Sequence, residues 1–416
     1  METERSYAQR WRVLLALIAI VLCLQFSLIV PAGAVTHIMS RYGLDGMEFT
    51  MVMSIPYLSG VLLGIPMGVL ADRYGIGRII LFGQSVALIG AIWRLVSGES
   101  FLSLMISTAL MGLSNATLNS NSTKVVRLWF PGRTNPLAMG LYLGGFTMGA
   151  ALALFFGTRA SSVEECWWFG ALLLGLSIIA WLVLYRRHPD GEGGVKESVL
   201  EHLGVVLRNK YVWGISLTAF VSFAMTGINA NYMVAAMIAL AGDPSATVET
   251  GNISTVNTLL ICVISIFGGQ LVIARFQRMR VPMAICLIGT ALISVVWMYF
   301  PFGVITWVAM CAMPFFEALI PPMIKSLPAL IPGVKKEHLG AVGGVQSTFQ
   351  NLGNFLVVSY IVAPIATAVD PSAGVGFYRV IYISAAVMCV LVFLGFLMFP
   401  NVHTTVEGKR RDDVVA

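Results

Sequence analysis

A helix needs about 20 apolar residues to cross a bilayer, and this chain supplies such runs one after another, separated by short polar connectors. Twelve spans are expected, at about 13–35, 49–70, 79–97, 101–123, 137–157, 167–185, 211–240, 253–274, 281–299, 304–327, 339–366 and 377–399. Few folds accommodate that pattern, because in lipid every backbone polar group must be satisfied within its own segment, as an α-helix does. Composition removes the soluble alternative: 57% of residues are hydrophobic and 11% charged, against about 25% charged in soluble domains. The expected fold class is an all-α membrane protein of twelve transmembrane helices in two pseudo-symmetric six-helix bundles.

The net charge of +6 does not indicate a nucleic-acid partner, because the basic residues sit in connectors and not along one face. Lysines and arginines mark cytoplasmic loops. With the amino terminus inside, all 26 except Arg41, Arg94, Arg159, Lys325 and Arg379 fall on the cytoplasmic side. The expectation is a multi-pass protein of the cytoplasmic membrane with both termini cytoplasmic. No signal peptide is expected, since the first apolar run after Arg12 is too long for one. Cys23, Cys166, Cys262, Cys286, Cys311 and Cys389 are scattered singly, which suits small core residues and no metal site. No cofactor is expected.

The longest polar connector follows the sixth span and divides the chain into an amino-terminal bundle (1–185), a cytoplasmic linker (186–210), a carboxy-terminal bundle (211–400) and a cytoplasmic tail (401–416). The halves are related: an offset of 201 places Lys124 on Lys325, Phe130-Pro131-Gly132 on Ile331-Pro332-Gly333, and Gly68 on Gly269. A duplicated six-helix unit puts a solute site between its halves, reached alternately from each side of the membrane.

Between the second and third spans stand Gly68, Val69, Leu70, Ala71, Asp72, Arg73, Tyr74, Gly75, Ile76, Gly77 and Arg78. This stretch resembles the G-x-L-A-D-R-x-G loop of the major facilitator superfamily. The resemblance implies a conformational latch of Gly68, Asp72, Arg73, Gly75, Arg78 and Arg127, with Asp72 capping the cytoplasmic start of the eleventh span near Leu339. A helix amino terminus does favour a carboxylate. Ile76 and Gly77 stand where the family often has basic residues. The region from Lys124 to Arg133, followed by Gly140, Leu141 and Tyr142, is similar to cyanate-permease-type and nitrate/nitrite-porter-type members. That similarity implies a small anion, although the paired intramembrane arginines of the nitrate porters are lacking.

Charges within spans are expensive in lipid and mark candidate sites. Lys124 and Lys325 lie about 35 and 31 Å along the fourth and tenth spans, placed either to attract an anion or to snorkel. Glu317, between Pro314 and Pro321, is the acidic residue deepest in a span and the candidate coupling site for protons. The prolines leave carbonyls free near it; a neutral structural carboxyl is the competing reading. Asn115 and Asn119, and Gln346 and Gln350 with Asn351 and Asn354, form stripes at helical spacing. With Tyr142, Asn229, Asn231 and Tyr232 they could contact a solute or bond helix to helix. The glycine stripes 60/64/68 and 140/144/145/149 read as packing faces. Arg94 is expected to snorkel, and Trp167 and Trp168 to sit in the interfacial belt.

The function expected is secondary active transport of a small anion (cyanate, nitrate, nitrite or a short carboxylate), proton-coupled or exchanging, by a monomer. A proton-driven drug exporter would show acidic residues within spans 1 to 6, where there are none. A receptor on the same fold would normally carry an added signalling domain. An enzyme is disfavoured because the spans hold no His/Asp/Glu cluster, and no Walker sequence is present.

Overall fold

The computed structural model describes residues 2–130, 135–188, 204, 206–275, 280–326, 339–372, 374–397, 405–406 and 409–410. Among them, eleven helices are long and apolar enough to cross a membrane. The first six spans are Glu2–Gly33, Gly46–Tyr74, Ile76–Val96, Phe101–Trp129, Asn135–Gly157 and Val163–Leu184. The seventh to ninth are Lys210–Ala241, Thr247–Arg275 and Arg280–Val296. The tenth is in three pieces, Val304–Ala312, Pro314–Glu317 and Ile320–Ser326, because Pro314, Pro321 and Pro322 have no N–H for the helical ladder. The eleventh runs from Leu339–Leu352 through a π-helical stretch, Gly353–Val362, into Ala363–Val369, and the twelfth is Val375–Leu397. In the tail, Thr405–Val406 pairs antiparallel with Lys409–Arg410.

The chain divides into two compact units. One comprises Met1–Lys196, Ala230–Ile238 and Asp243–Leu259; the other Glu197–Asn229, Ala239–Gly242 and Leu260–Ala416. In the first unit, three spans begin with side-chain caps. Asp45 and Glu48 form a reciprocal capping box on the second span, Ser100 caps the fourth and Ser162 the sixth. Each satisfies amide groups that the first helical turn leaves open. The core is built from Leu17, Ile20 and Leu24 of the first span, Ile80 of the third, Met111 and Leu118 of the fourth, and Leu174 and Trp181 of the sixth.

Gly145 and Gly149 of the fifth-span stripe mark close crossings, whereas a Cβ on Gly64 or Gly68 of the second-span stripe would meet only ordinary contacts at 3.6 and 3.9 Å. Ser120 Oγ donates to the Gly64 carbonyl at 2.6 Å, and a Cβ on Gly149 would stand 2.3 Å from the Leu22 carbonyl oxygen. Arg94 corrects the snorkelling expectation. It is buried, with Nε donating to Ser107 Oγ at 3.2 Å, Nη2 to Thr108 Oγ1 at 2.6 Å and Nη1 to the Ser27 carbonyl at 3.2 Å. Its guanidinium lies 4.6 Å from the Trp167 ring centroid, so it ties the third span to the first, fourth and sixth. Trp167 is therefore buried, and Trp168 alone is exposed.

In the second unit, Gly353 lies against the Phe220 carbonyl and Gly227 against the Asn354 amide, at separations that leave no room for a Cβ. Trp297 meets Tyr382 edge-on at 4.9 Å.

Candidate functional site

Glu317 lies in the second unit on the four-residue helix Pro314–Glu317, 4% exposed. Pro314 begins that piece, and Pro321 has no N–H to return to the Glu317 carbonyl. Asn229 of the seventh span donates from Nδ2 to Glu317 Oε2 at 2.8 Å, while Asn229 Oδ1 is buried with no hydrogen-bond partner among the described residues. Tyr382 and Cys389 of the twelfth span are within electrostatic reach of the carboxyl. The Tyr382 hydroxyl is also buried without a partner. Among the described residues no lysine, arginine or histidine pairs with Glu317. Among the described residues, the hydrogen bond seen to the buried carboxyl is that of the Asn229 amide.

The other amides of that unit divide. Gln346 Nε2 donates to the Ile324 carbonyl at 3.2 Å and Asn351 Nδ2 to the Ser347 carbonyl at 3.0 Å. Both bond helix backbone, as the structural alternative has it. Gln350, buried on the same stripe, makes no hydrogen bond among the described residues and keeps its amide for another partner. The side chain of Lys325 lies outside the described residues.

In the first unit, Lys124 is half-buried and donates from Nζ to the Gly68 carbonyl at 3.2 Å. Its ammonium therefore lies against the last turns of the second span. Asn119 Nδ2 reaches Asn115 Oδ1 at 3.4 Å; Asn115 is buried and Asn119 exposed. Tyr142 is bonded to Ser122. Seventh-span Tyr232 is hydrogen-bonded to Thr50 of the second span, and Arg159 to Asn252. A cavity of about 500 Å³, lined by Thr36, His37, Ser40, Arg41, Ser161, Ser162, Val163 and Thr247, offers no free cation, since Arg41 pairs with Glu99 and Glu164.

The side chains of Asp72 and Arg127 lie outside the described residues, but the backbone of the loop between the second and third spans is clear. Gly75, with φ +98°, donates its N–H to the Ala71 carbonyl at 2.9 Å and turns the chain from the second span into the third. Few residues other than glycine adopt that conformation readily. Arg73 and Arg78 are exposed, Arg73 lying 5.3 Å from the Tyr74 ring. Gly77 explains the missing basic residue. Trp181 Nε1 donates to its carbonyl at 3.2 Å, Tyr185 stacks on Trp181 at 4.1 Å, and a Cβ on Gly77 would lie 2.2 Å from the Tyr185 ring. An aromatic pair from the sixth span occupies the space a side chain would need.

Across residues 15–358 the chain matches the Major Facilitator Superfamily. It belongs to that superfamily. Among the transporter's relatives, the nitrite extrusion protein of Bacillus subtilis is 25% identical over 181 residues, which is 42% of this chain and 44% of that protein. The hexuronate transporter of Escherichia coli K12 is 24% identical over 163 residues, 33% and 37% respectively. A probable anion transporter of rice chloroplasts, from Oryza sativa subsp. japonica, is 26% identical over 152 residues, 35% and 27%. The chain thus spans less than half the length of each of these three. A bacterial homolog of the human lysosomal transporter Spinster has the same fold, with a TM-score of 0.72 at 17% identity over 94% of this chain and 98% of that one.

Sequence reasoning brought out Glu317 and Asn229 separately, and the transporter's fold joins them. It missed the roles of Tyr382 and Arg94. Arg94 carried a usable signal: Pro31 strands the Ser27 carbonyl one helical turn earlier, and a buried carbonyl needs a donor.

Proposed function

We propose that this transporter moves a small anion across the cytoplasmic membrane by alternating access, with Glu317 as the position that takes up and releases a coupling proton. The observation that carries the coupling reading is a carboxyl buried within a span beside a single amide, with no ion-pair partner among the described residues. An ionised carboxylate there is costly in a bilayer, so loading and unloading a proton changes the energy of the whole site.

The anion reading draws on the relatives, whose names are those of nitrite, anion and hexuronate transporters. It draws also on Lys124 and Lys325, related by the internal repeat. Gln350, Asn115, Asn119 and Tyr142 are the uncharged solute contacts in this reading. Asp72, Arg73, Arg78 and Arg127 act as the latch about Gly68 and Gly75. The protein works as a monomer with bundles 1–185 and 211–400 and both termini cytoplasmic.

The test is thermal-shift screening of the purified full chain against cyanate, nitrite, nitrate, short carboxylates and neutral solutes. Uptake into proteoliposomes with and without a pH gradient follows. Stabilisation by anions that disappears in Lys124→Gln with Lys325→Gln is expected; full anion transport by that double variant removes the lysines from the site. Glu317→Gln is expected to uncouple uptake from the gradient while solute-for-solute exchange survives. Wild-type flux indifferent to pH overturns the coupling assignment.

A further inference from the structure

We propose that Asn229 is the positioning residue for Glu317 in both of its protonation states, its side-chain amide turning over as the proton arrives and leaves. This rests on the reading of Glu317 as the coupling position.

An ionised carboxylate can only accept hydrogen bonds, whereas a protonated carboxyl carries one O–H that needs an acceptor. The structure shows the first arrangement, Asn229 Nδ2 donating to Glu317 Oε2 at 2.8 Å. It also supplies the means for the second: the oxygen of the same amide, Asn229 Oδ1, is buried and without a donor. A half-turn of the amide about its last side-chain bond exchanges the NH₂ group for that oxygen. The proton on Glu317 is then donated to Oδ1, and no other group need move.

A side chain that offered only a donor or only an acceptor would leave one state unsatisfied at a buried position, where an unmade hydrogen bond is costly. The neighbouring elements fit this account. Among the described residues, Tyr382 and Cys389 of the twelfth span are the titratable side chains that feel the charge of Glu317; the ninth span contributes Gly289 against Phe316, beside Glu317 in sequence, and the eighth contributes Ser265, whose hydroxyl is spent on the Ala318 carbonyl. Asn229 is therefore the side chain seen to bond the carboxylate.

The experiment is pH-difference infrared spectroscopy of the purified full chain in lipid, with the proton as the probe. A protonated-carboxyl C=O band that titrates in the wild type and vanishes in Glu317→Gln identifies the group. In Asn229→Leu that band is expected to move to higher frequency, as for a carboxyl without a hydrogen-bond partner, and its titration midpoint to shift by about one pH unit or more. Should Asn229→Leu fail to elute as folded protein, Asn229→Asp keeps the shape and makes a carboxyl pair that shares protons, so two titration steps replace one. A band that survives Glu317→Gln defeats the coupling assignment itself. A band that vanishes in Glu317→Gln, yet keeps its frequency and midpoint in Asn229→Leu or its single step in Asn229→Asp, defeats only the role of Asn229.

Discussion

Replacing Arg94 by methionine should destabilise the first unit through one identifiable carbonyl. The guanidinium makes three hydrogen bonds, each charge-assisted and worth about 1.5–3 kcal/mol. Contact with the Trp167 ring adds roughly 2 kcal/mol when desolvated. Against these stands a penalty of several kcal/mol for stripping the cation of water, so the balance favours the arginine by a few kcal/mol. After Arg94→Met, Ser107 and Thr108 keep hydrogen bonds, because both hydroxyls donate to the Leu104 carbonyl at 2.7 and 2.8 Å. The Ser27 carbonyl keeps none within its helix, since its partner four residues on is Pro31, inside the first span. Leaving it unmet costs about 1–3 kcal/mol. Pro31→Ala restores the missing N–H and also gains helix propensity in either background. Only the difference between backgrounds reports the carbonyl. Thermal unfolding of the four proteins in detergent should therefore show a coupling of about 1–3 kcal/mol, with Pro31→Ala helping Arg94→Met more than it helps the wild type. Equal gains in both backgrounds, or an Arg94→Met protein as stable as the wild type, would refute the account.

Gly77→Lys, which restores a basic residue to the latch loop, should lower the melting temperature because its Cβ meets the Tyr185 ring. Tyr185→Ala should recover much of that loss in the double variant, and a Gly77→Lys protein of wild-type stability would show that the ring moves aside freely. At the start of the twelfth span, Asp370 accepts from the Ser372 hydroxyl and N–H and from the Gly376 N–H. These bonds, the Ser372 hydroxyl foremost, hold its carboxyl below the usual range. A depressed carboxyl adds stability that is present above its unfolded value, near 3.9, and is lost as pH falls through the folded value. Asp370→Asn should flatten the acid limb of a stability–pH curve below about pH 4, and an unchanged limb would contradict this.

The spans were legible because the lipid requirement acts on runs of residues, and a run survives without knowledge of its neighbours. The interruption near Glu317 was legible for the same reason, as the prolines act on their own backbone, whereas the division of the expected span 304–327 into three pieces was not. The pairing of Glu317 with Asn229 was not, because 88 positions separate them and spacing along one helix says nothing of which face meets which span. The amide stripes show the same limit. Gln346, Gln350 and Asn351 look alike as a pattern, yet two bond helix carbonyls and one does not. Arg94 failed from a rule applied too locally: proximity to a helix end suggested escape to the headgroups, whereas a stranded carbonyl on another helix decided its position.

Proline placement links these observations. Pro31 strands the Ser27 carbonyl, and Arg94 meets it. Pro322 strands the Ala318 carbonyl, and Ser265 Oγ meets it from the eighth span at 3.5 Å. In lipid a broken ladder survives where something replaces the lost donor, and at Ser27 and Ala318 the replacement is a tie between helices. In the first unit the donor is a cation of the third span that meets the first, fourth and sixth. In the second it is a hydroxyl at the limit of bonding distance, one residue from Glu317, whose own carbonyl receives no N–H from Pro321. Proline thus sets where a neighbouring helix must supply a donor, at Ser27 in the first unit and at Ala318, next to Glu317, in the second.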